Sequence, residues 1–139
     1  MTTSEKIAQL LKEDEGWSPY VYKDTLGFDT IGYGFLVDAR KGQGLPKTIA
    51  EAWLIRLITD DREELLTRLP WIEDQPENVQ IALSCMCYQL GINGLVRFQR
   101  MLKALFDGDR EQAAFEALNS KWASQTPERA KRMAKLLRD

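Results

Sequence analysis

The sequence predicts an α+β protein, mostly helical, with a small hairpin-bearing N-terminal lobe and a helical C-terminal lobe. Three observations predict it. Apolar residues recur at helical spacing in most segments after Thr48. Two short runs rich in aromatic and β-branched residues flank the turn-forming Lys23-Asp-Thr-Leu-Gly27. At 139 residues the chain is long enough for one domain of two lobes sharing a helix.

The first helix is expected from about Ser4, where Thr2 and Glu5 have capping-box spacing and Ile7, Leu10 and Leu11 form an apolar stripe. Gly16 is expected to stop it in the left-handed conformation. Tyr20–Tyr22 and Phe28–Tyr33 read as strands. Gly32 and Gly34 in the second suggest a bend or the close approach of another group. Lys41–Pro46 is a loop by composition. Thr48 and Glu51 repeat the capping-box spacing before a long helix to about Leu69, with Ala52, Ile55, Leu66 and Leu69 as its buried face. A further helix follows Pro76, carries Val79, Ala82, Leu83, Met86 and Leu90, and is broken by Gly91 and Gly94. Leu95–Phe106, Arg110–Leu118 and Pro127–Leu137 complete the set. The last has Thr126 as its cap, Pro127 at its first position, and Ala130, Met133, Ala134 and Leu137 on one face. The lobes are then residues 1–47 and 70–139, with 48–69 as the connecting helix and the first helix packing on the C-terminal lobe.

An apolar fraction of 44% with 29% charged residues is that of a soluble globular chain. A net charge of −2 gives no overall pull toward nucleic acid or an anionic membrane. The charge is uneven: Lys121–Arg138 holds six basic residues and one acid, Glu128. That stretch could meet an anionic wall or membrane, though a solvated helix face is the commoner use of such a run. The absence of histidine removes Ser-His and Cys-His nucleophile systems and most zinc sites. Cys85 and Cys87, two apart on a helix, point about 200° from each other and read as small buried hydrophobes in a reduced protein. No run of 18 apolar residues exists and no secretory signal is evident.

The chemistry is concentrated near the N-terminus. Glu15 closes the first helix and Asp24 opens the turn nine residues later. Two carboxyl groups on different elements are what glycosidic hydrolysis requires, one to donate a proton and one to manage water or the sugar cation. The negative end of the helix disfavours ionised Glu15, as suits a proton donor.

The stretch Glu15-Gly, Tyr22-Lys-Asp-Thr25 and Thr30-Ile-Gly-Tyr-Gly34 closely resembles the signature of the phage-type lysozymes, glycoside hydrolase family 24. Ala82-Leu83, Gln89-Leu90-Gly91, Asn119–Trp122 and Gln125–Arg132 resemble the family's later blocks in the same order. The resemblance implies a lysozyme-like fold with an active-site cleft between the lobes. It implies Glu15 as general acid, and Asp24 with Thr30 positioning the attacking water for inversion. Leu36, Tyr88 and Gln89 would line the saccharide cleft, Arg129 would pair with Glu15, and Arg132 could meet Asp14.

The activity implied is that of an endolysin: an N-acetylmuramidase cutting the β-1,4 bond between N-acetylmuramic acid and N-acetylglucosamine, without cofactor or metal. A monomer acting on peptidoglycan glycan strands is expected, with no nucleic-acid partner and no stable membrane insertion. It would be made in the host bacterial cytoplasm and reach the periplasm through a separate membrane-permeabilising protein. A lytic transglycosylase is the alternative enzyme, opposed by Asp24 and Thr30 because that reaction uses no water. A non-catalytic peptidoglycan-binding phage protein is the alternative of another class. Three departures from the family stand out. Phe35 replaces a histidine, the segment between Gly34 and Thr48 is short, and Met101 and Glu116 stand where polar saccharide contacts, a serine and an asparagine, are expected.

Overall fold

The computed structural model describes residues 2–33, 35–36 and 44–139, and of Glu15 the backbone alone. Gly34 and the first half of the 41–46 loop lie outside the described residues. The chain is α+β and mostly helical, as expected. It divides into two compact units, Met1–Trp53 and Leu54–Asp139, the division falling inside a helix.

The first unit opens with α1, Thr3–Glu15, whose capping box is formed: Thr2 accepts from the Glu5 amide at 3.1 Å and Glu5 accepts from the Thr2 amide at 2.7 Å. Gly16 ends the helix with φ +72° but ψ 179°, an extended rather than a left-handed helical cap. The sheet has three antiparallel strands in the order β1 (Ser18–Lys23), β2 (Asp29–Gly32), β3 (Phe35–Leu36). The register pairs Ser18 with Gly32, Tyr22 with Thr30 and Lys23 with Asp29, with an irregularity between Ser18 and Tyr22. Pro19 falls there and has no amide to give the ladder.

β3 is a third strand beyond the two expected, and it pairs Thr30 with Leu36 and Ile31 with Phe35. At Gly32, φ is +70°, and a Cβ there would stand 2.8 Å from the Phe35 ring. The close approach expected at this glycine is therefore that of Phe35. Trp17 and Phe35 both contact Tyr33, with centroids 5.0 and 6.2 Å apart, and Lys12 Nζ lies 5.5 Å from the Tyr33 ring.

Helix α2 spans Lys47–Arg68, beginning at Lys47 rather than at a Thr48 cap. Its core contact lies in the last turns: Leu65 is fully buried and Leu66 and Leu69 pack beside it, whereas Ala52 and Ile55 are exposed. A 3-10 turn, Pro70–Asp74, leads into α3, Glu77–Val96. Gly91 interrupts α3 at φ 72°, ψ 165°, as expected, but Gly94 does not break it.

By length and mean hydropathy (1.3) α3 is the one described helix able to cross a membrane. The uninterrupted part, Glu77–Leu90, is only about 14 residues or roughly 21 Å long, short of a bilayer core. Val79, Ala82, Leu83, Met86, Cys87, Ile92 and Leu95 bury in the core instead.

The expected Leu95–Phe106 helix is split, since Arg97 and Phe98 leave the ladder and α4 runs Gln99–Phe106. α5 is Arg110–Leu118 and α6, a short helix not anticipated, is Lys121–Gln125. α7 is Pro127–Arg138, burying the four residues its pattern names. Thr126 does not cap α7 through its side chain; its hydroxyl donates to the Trp122 carbonyl at 3.0 Å, closing α6. α7 packs on α3, α5 and α6. Arg110 ties its end, donating to the carbonyls of Leu137 and Leu136 at 2.7 and 3.1 Å.

Candidate active site

The hairpin positions two of the three expected catalytic residues. Asp24 leaves β1, and its Oδ1 accepts from the amides of Leu26 and Phe28, both at 2.9 Å. Its own amide donates to the Phe28 carbonyl at 2.9 Å, and its carbonyl accepts from Gly27 at 3.0 Å. Asp suits this place because a short carboxylate can satisfy turn amides. Its second oxygen, Oδ2, takes no hydrogen bond from the described residues. Thr30, in the central strand and 4% exposed, donates its hydroxyl to that same Phe28 carbonyl at 3.1 Å. Spending the proton on the backbone leaves the Oγ1 lone pairs as an acceptor.

Leu36 is half-exposed and paired with Thr30, so this expected saccharide contact sits on the strand beside it. One interaction the sequence reading missed braces the hairpin neck: Lys23 Nζ lies 2.8 Å from Asp29 Oδ1 across β1 and β2. Opposite charges bracketing the turn were its signal. Glu15 is the last residue of α1 and Asp14 the exposed residue before it.

The second unit brings the other expected residues together. Tyr88, Gln89, Arg129 and Arg132 line one groove of about 690 Å³, with Leu54, Ile58 and Ile81 supplying an apolar wall. Gln89 is oriented by its Oε1 accepting from the Trp122 indole at 2.9 Å. Trp122 is held in turn by an edge-on contact with Phe98. Arg62, also in this groove, donates to Ser84 and Gln80 at 2.9 and 3.0 Å. Arg129 and Arg132 are exposed, and no acid of this unit pairs with either.

Cys85 is exposed and lines the groove, contrary to expectation, because its side of α3 turns away from the core; Cys87 is buried. Burial, with Asp61 and Glu64 nearby, pushes the Cys87 thiol above its ordinary value. Met101, at 1% exposure, belongs to the core, and Glu116 accepts from Gln112 at 3.0 Å. The basic face of α7 supplies ion pairs to its own acids, Lys131 to Glu128 and Lys135 to Asp139. Among the described residues no three His, Cys, Asp or Glu side chains gather as a metal site.

Residues 12–138 match the phage lysozyme family. The chain is 29% identical to the probable T4-type lysozyme 1 of Dictyostelium discoideum, over 94% of this chain and 92% of that protein. It is 28% identical to the probable T4-type lysozyme 2 of the same organism, over 91% and 90%. It is also 28% identical to the pre-baseplate central spike protein Gp5 of Enterobacteria phage T4, covering 94% of this chain but 27% of the spike protein. With its α+β fold and these relatives, the chain is a glycoside hydrolase of the lysozyme class. The chain belongs to the phage lysozyme family.

Proposed function

We propose that the chain is an endolysin-type N-acetylmuramidase that hydrolyses the β-1,4 bond between N-acetylmuramic acid and N-acetylglucosamine with inversion. The observation that carries the reading is the joint anchoring of Asp24 and Thr30 on the Phe28 peptide, with Oδ2 and the Oγ1 lone pairs left to a water. Glu15 gives its proton to the leaving O4 of N-acetylglucosamine as the C1–O4 bond breaks. The water oxygen bonds to C1 from the opposite face, and its proton passes to Asp24. Attack on that face converts the β linkage into an α hemiacetal.

In this reading Leu36, Tyr88 and Gln89 contact the saccharide. Arg129 and Arg132 are the site's supporting cations. The protein acts as a monomer in host lysis. It is made in the cytoplasm and meets periplasmic peptidoglycan once a separate protein has permeabilised the membrane.

Digestion of purified sacculi followed by mass spectrometry tests the reaction. Muramic acid reducing ends are expected. 1,6-Anhydro ends would establish a transglycosylase, and intact sacculi would favour a binding protein.

A further inference from the structure

Next to the turn, the pairing of β1 with β2 keeps step over two consecutive rungs, Tyr22 opposite Thr30 and Lys23 opposite Asp29. Before them the ladder is irregular, back to Ser18 opposite Gly32. The two regular rungs bear on the site because Lys23 immediately precedes Asp24, and Asp29 immediately precedes Thr30.

Little apolar burial holds β1 in this register. Ser18 is half-buried, and every residue from Pro19 to Lys23 is exposed. Register is specified by which face of a strand is buried, so a strand exposed along its length is weakly specified. A slip of one residue moves it about 3.3 Å along its partner and turns each side chain to the other face. Asp24 would then lose its place relative to Thr30. A misplacement of about 1 Å at a reacting centre can cost roughly a hundredfold in rate.

The rung nearest the turn carries a charge pair that opposes such a slip. Lys23 Nζ lies 2.8 Å from Asp29 Oδ1, and among the described residues Asp29 forms no other ion pair. The Asp29 side chain is 17% exposed and that of Lys23 64%. A carboxylate so covered is best satisfied in the register that brings Lys23 opposite it. Hydrogen bonds close the turn between Asp24 and Phe28, and the ion pair is the side-chain contact on the next rung. Successive strand residues face opposite sides of the sheet, so Asp29 and its partner lie across the strand from the Thr30 side chain. The pair therefore leaves the Thr30 hydroxyl unobstructed.

We propose that Lys23 and Asp29 are positioning residues for the hydrolytic reaction. Their ion pair fixes the β1–β2 register that sets Asp24 against Thr30, and neither residue touches the saccharide or the water. The proposal rests on the reading of Asp24 and Thr30 as the pair that acts on the attacking water. Without the cation, the Asp29 carboxylate reaches water by a local opening or slip of one rung. Such a change barely lowers the stability of the whole protein but displaces Asp24.

Steady-state kinetics on a soluble peptidoglycan glycan oligomer tests this, with melting temperatures measured alongside. Lys23→Met should lower kcat about tenfold, hold KM within about twofold and leave the melting temperature near that of wild type. Lys23→Arg, which keeps the cation, should recover most of the lost kcat. Asp29→Ala should lose a similar amount, and the double variant Lys23→Met with Asp29→Ala no more than either alone, since both remove one contact. A rise in KM with kcat unchanged would make Lys23 a saccharide contact and overturn the positioning role. So would additive losses, a loss that Lys23→Arg fails to recover, or wild-type kcat in Lys23→Met. Asp24→Asn in the same assay separates the two levels of the argument. If it is inactive while Lys23→Met is fully active, the positioning role alone falls; if it turns over normally, the reading of Asp24 itself falls.

Discussion

Asp24 and Thr30 are tied to each other through one peptide unit, that of Phe28. The Phe28 carbonyl accepts from the Asp24 amide and the Thr30 hydroxyl, while the Phe28 amide donates to Asp24 Oδ1. Turn and strand are therefore joined through one peptide, and in the proposed mechanism the two side chains act on the attacking water from that fixed frame. Such preorganisation lowers the barrier without tightening the resting substrate.

Asp24→Asn and Thr30→Ala should each lower kcat far more than they raise KM. A loss of roughly a hundredfold or more is expected for Asp24→Asn, whose amide oxygen can still accept from Leu26 and Phe28 but whose nitrogen takes no proton. Thr30→Ser should restore most of what Thr30→Ala loses. Steady-state kinetics on a soluble oligosaccharide checks this, and an effect confined to KM would count against the water-holding role.

Glu15→Gln should abolish turnover by on the order of a thousandfold or more while leaving the melting temperature near that of wild type. Lysis by a folded Glu15→Gln protein would remove Glu15 from the mechanism.

Gly32→Ala should destabilise the hairpin unit by more than about 1 kcal/mol, because φ is +70° and the new Cβ meets the Phe35 ring. Adding Phe35→Ala should recover the steric part only. Thermal melts of the single and double variants separate the two contributions.

The two thiols should differ sharply. Cys85 is exposed, whereas Cys87 is buried with its thiol pushed up by burial, Asp61 and Glu64. An alkylating reagent near pH 8 should label Cys85 quickly and Cys87 slowly. A raised folded-state value means the native protein holds the proton longer than the unfolded chain. Its contribution to stability is thus full below the ordinary thiol value of 9.0 and is lost as pH rises through the higher folded value. Cys87→Ala should flatten that alkaline decline in a denaturation series, and Cys85→Ala should leave it.

Much of the helical unit was legible because its signals are local and agree with one another. α5 and α7 follow their patterns, and Pro127 marks a start as reliably as Ala130, Met133, Ala134 and Leu137 mark a face. β3 and α6 escaped notice because two and five residues carry too little periodicity. Thr126 holds the N-cap position its place before Pro127 suggests, but its hydroxyl turns back to the Trp122 carbonyl, because a threonine before a proline suits the end of one helix as well as the start of the next. The split at Arg97 and Phe98 leaves no Gly or Pro to announce it, and the exposure of Cys85 depends on which neighbours α3 meets.

The candidate site shows the same division. Its residue types stood in the motif, but the join between Asp24 and Thr30 runs through a backbone peptide, which any residue would supply. Likewise, the Trp122 indole that fixes Gln89 lies 33 residues away along the chain.

The stereochemistry of the first product tests the central claim most directly. Proton NMR of a soluble muropeptide oligomer at the start of hydrolysis should show the α-anomer of the new reducing end before mutarotation mixes the two forms, as a water held by Asp24 and Thr30 requires. Early accumulation of the β-anomer would mean retention and would contradict the assignment of Asp24 as the water-activating carboxylate.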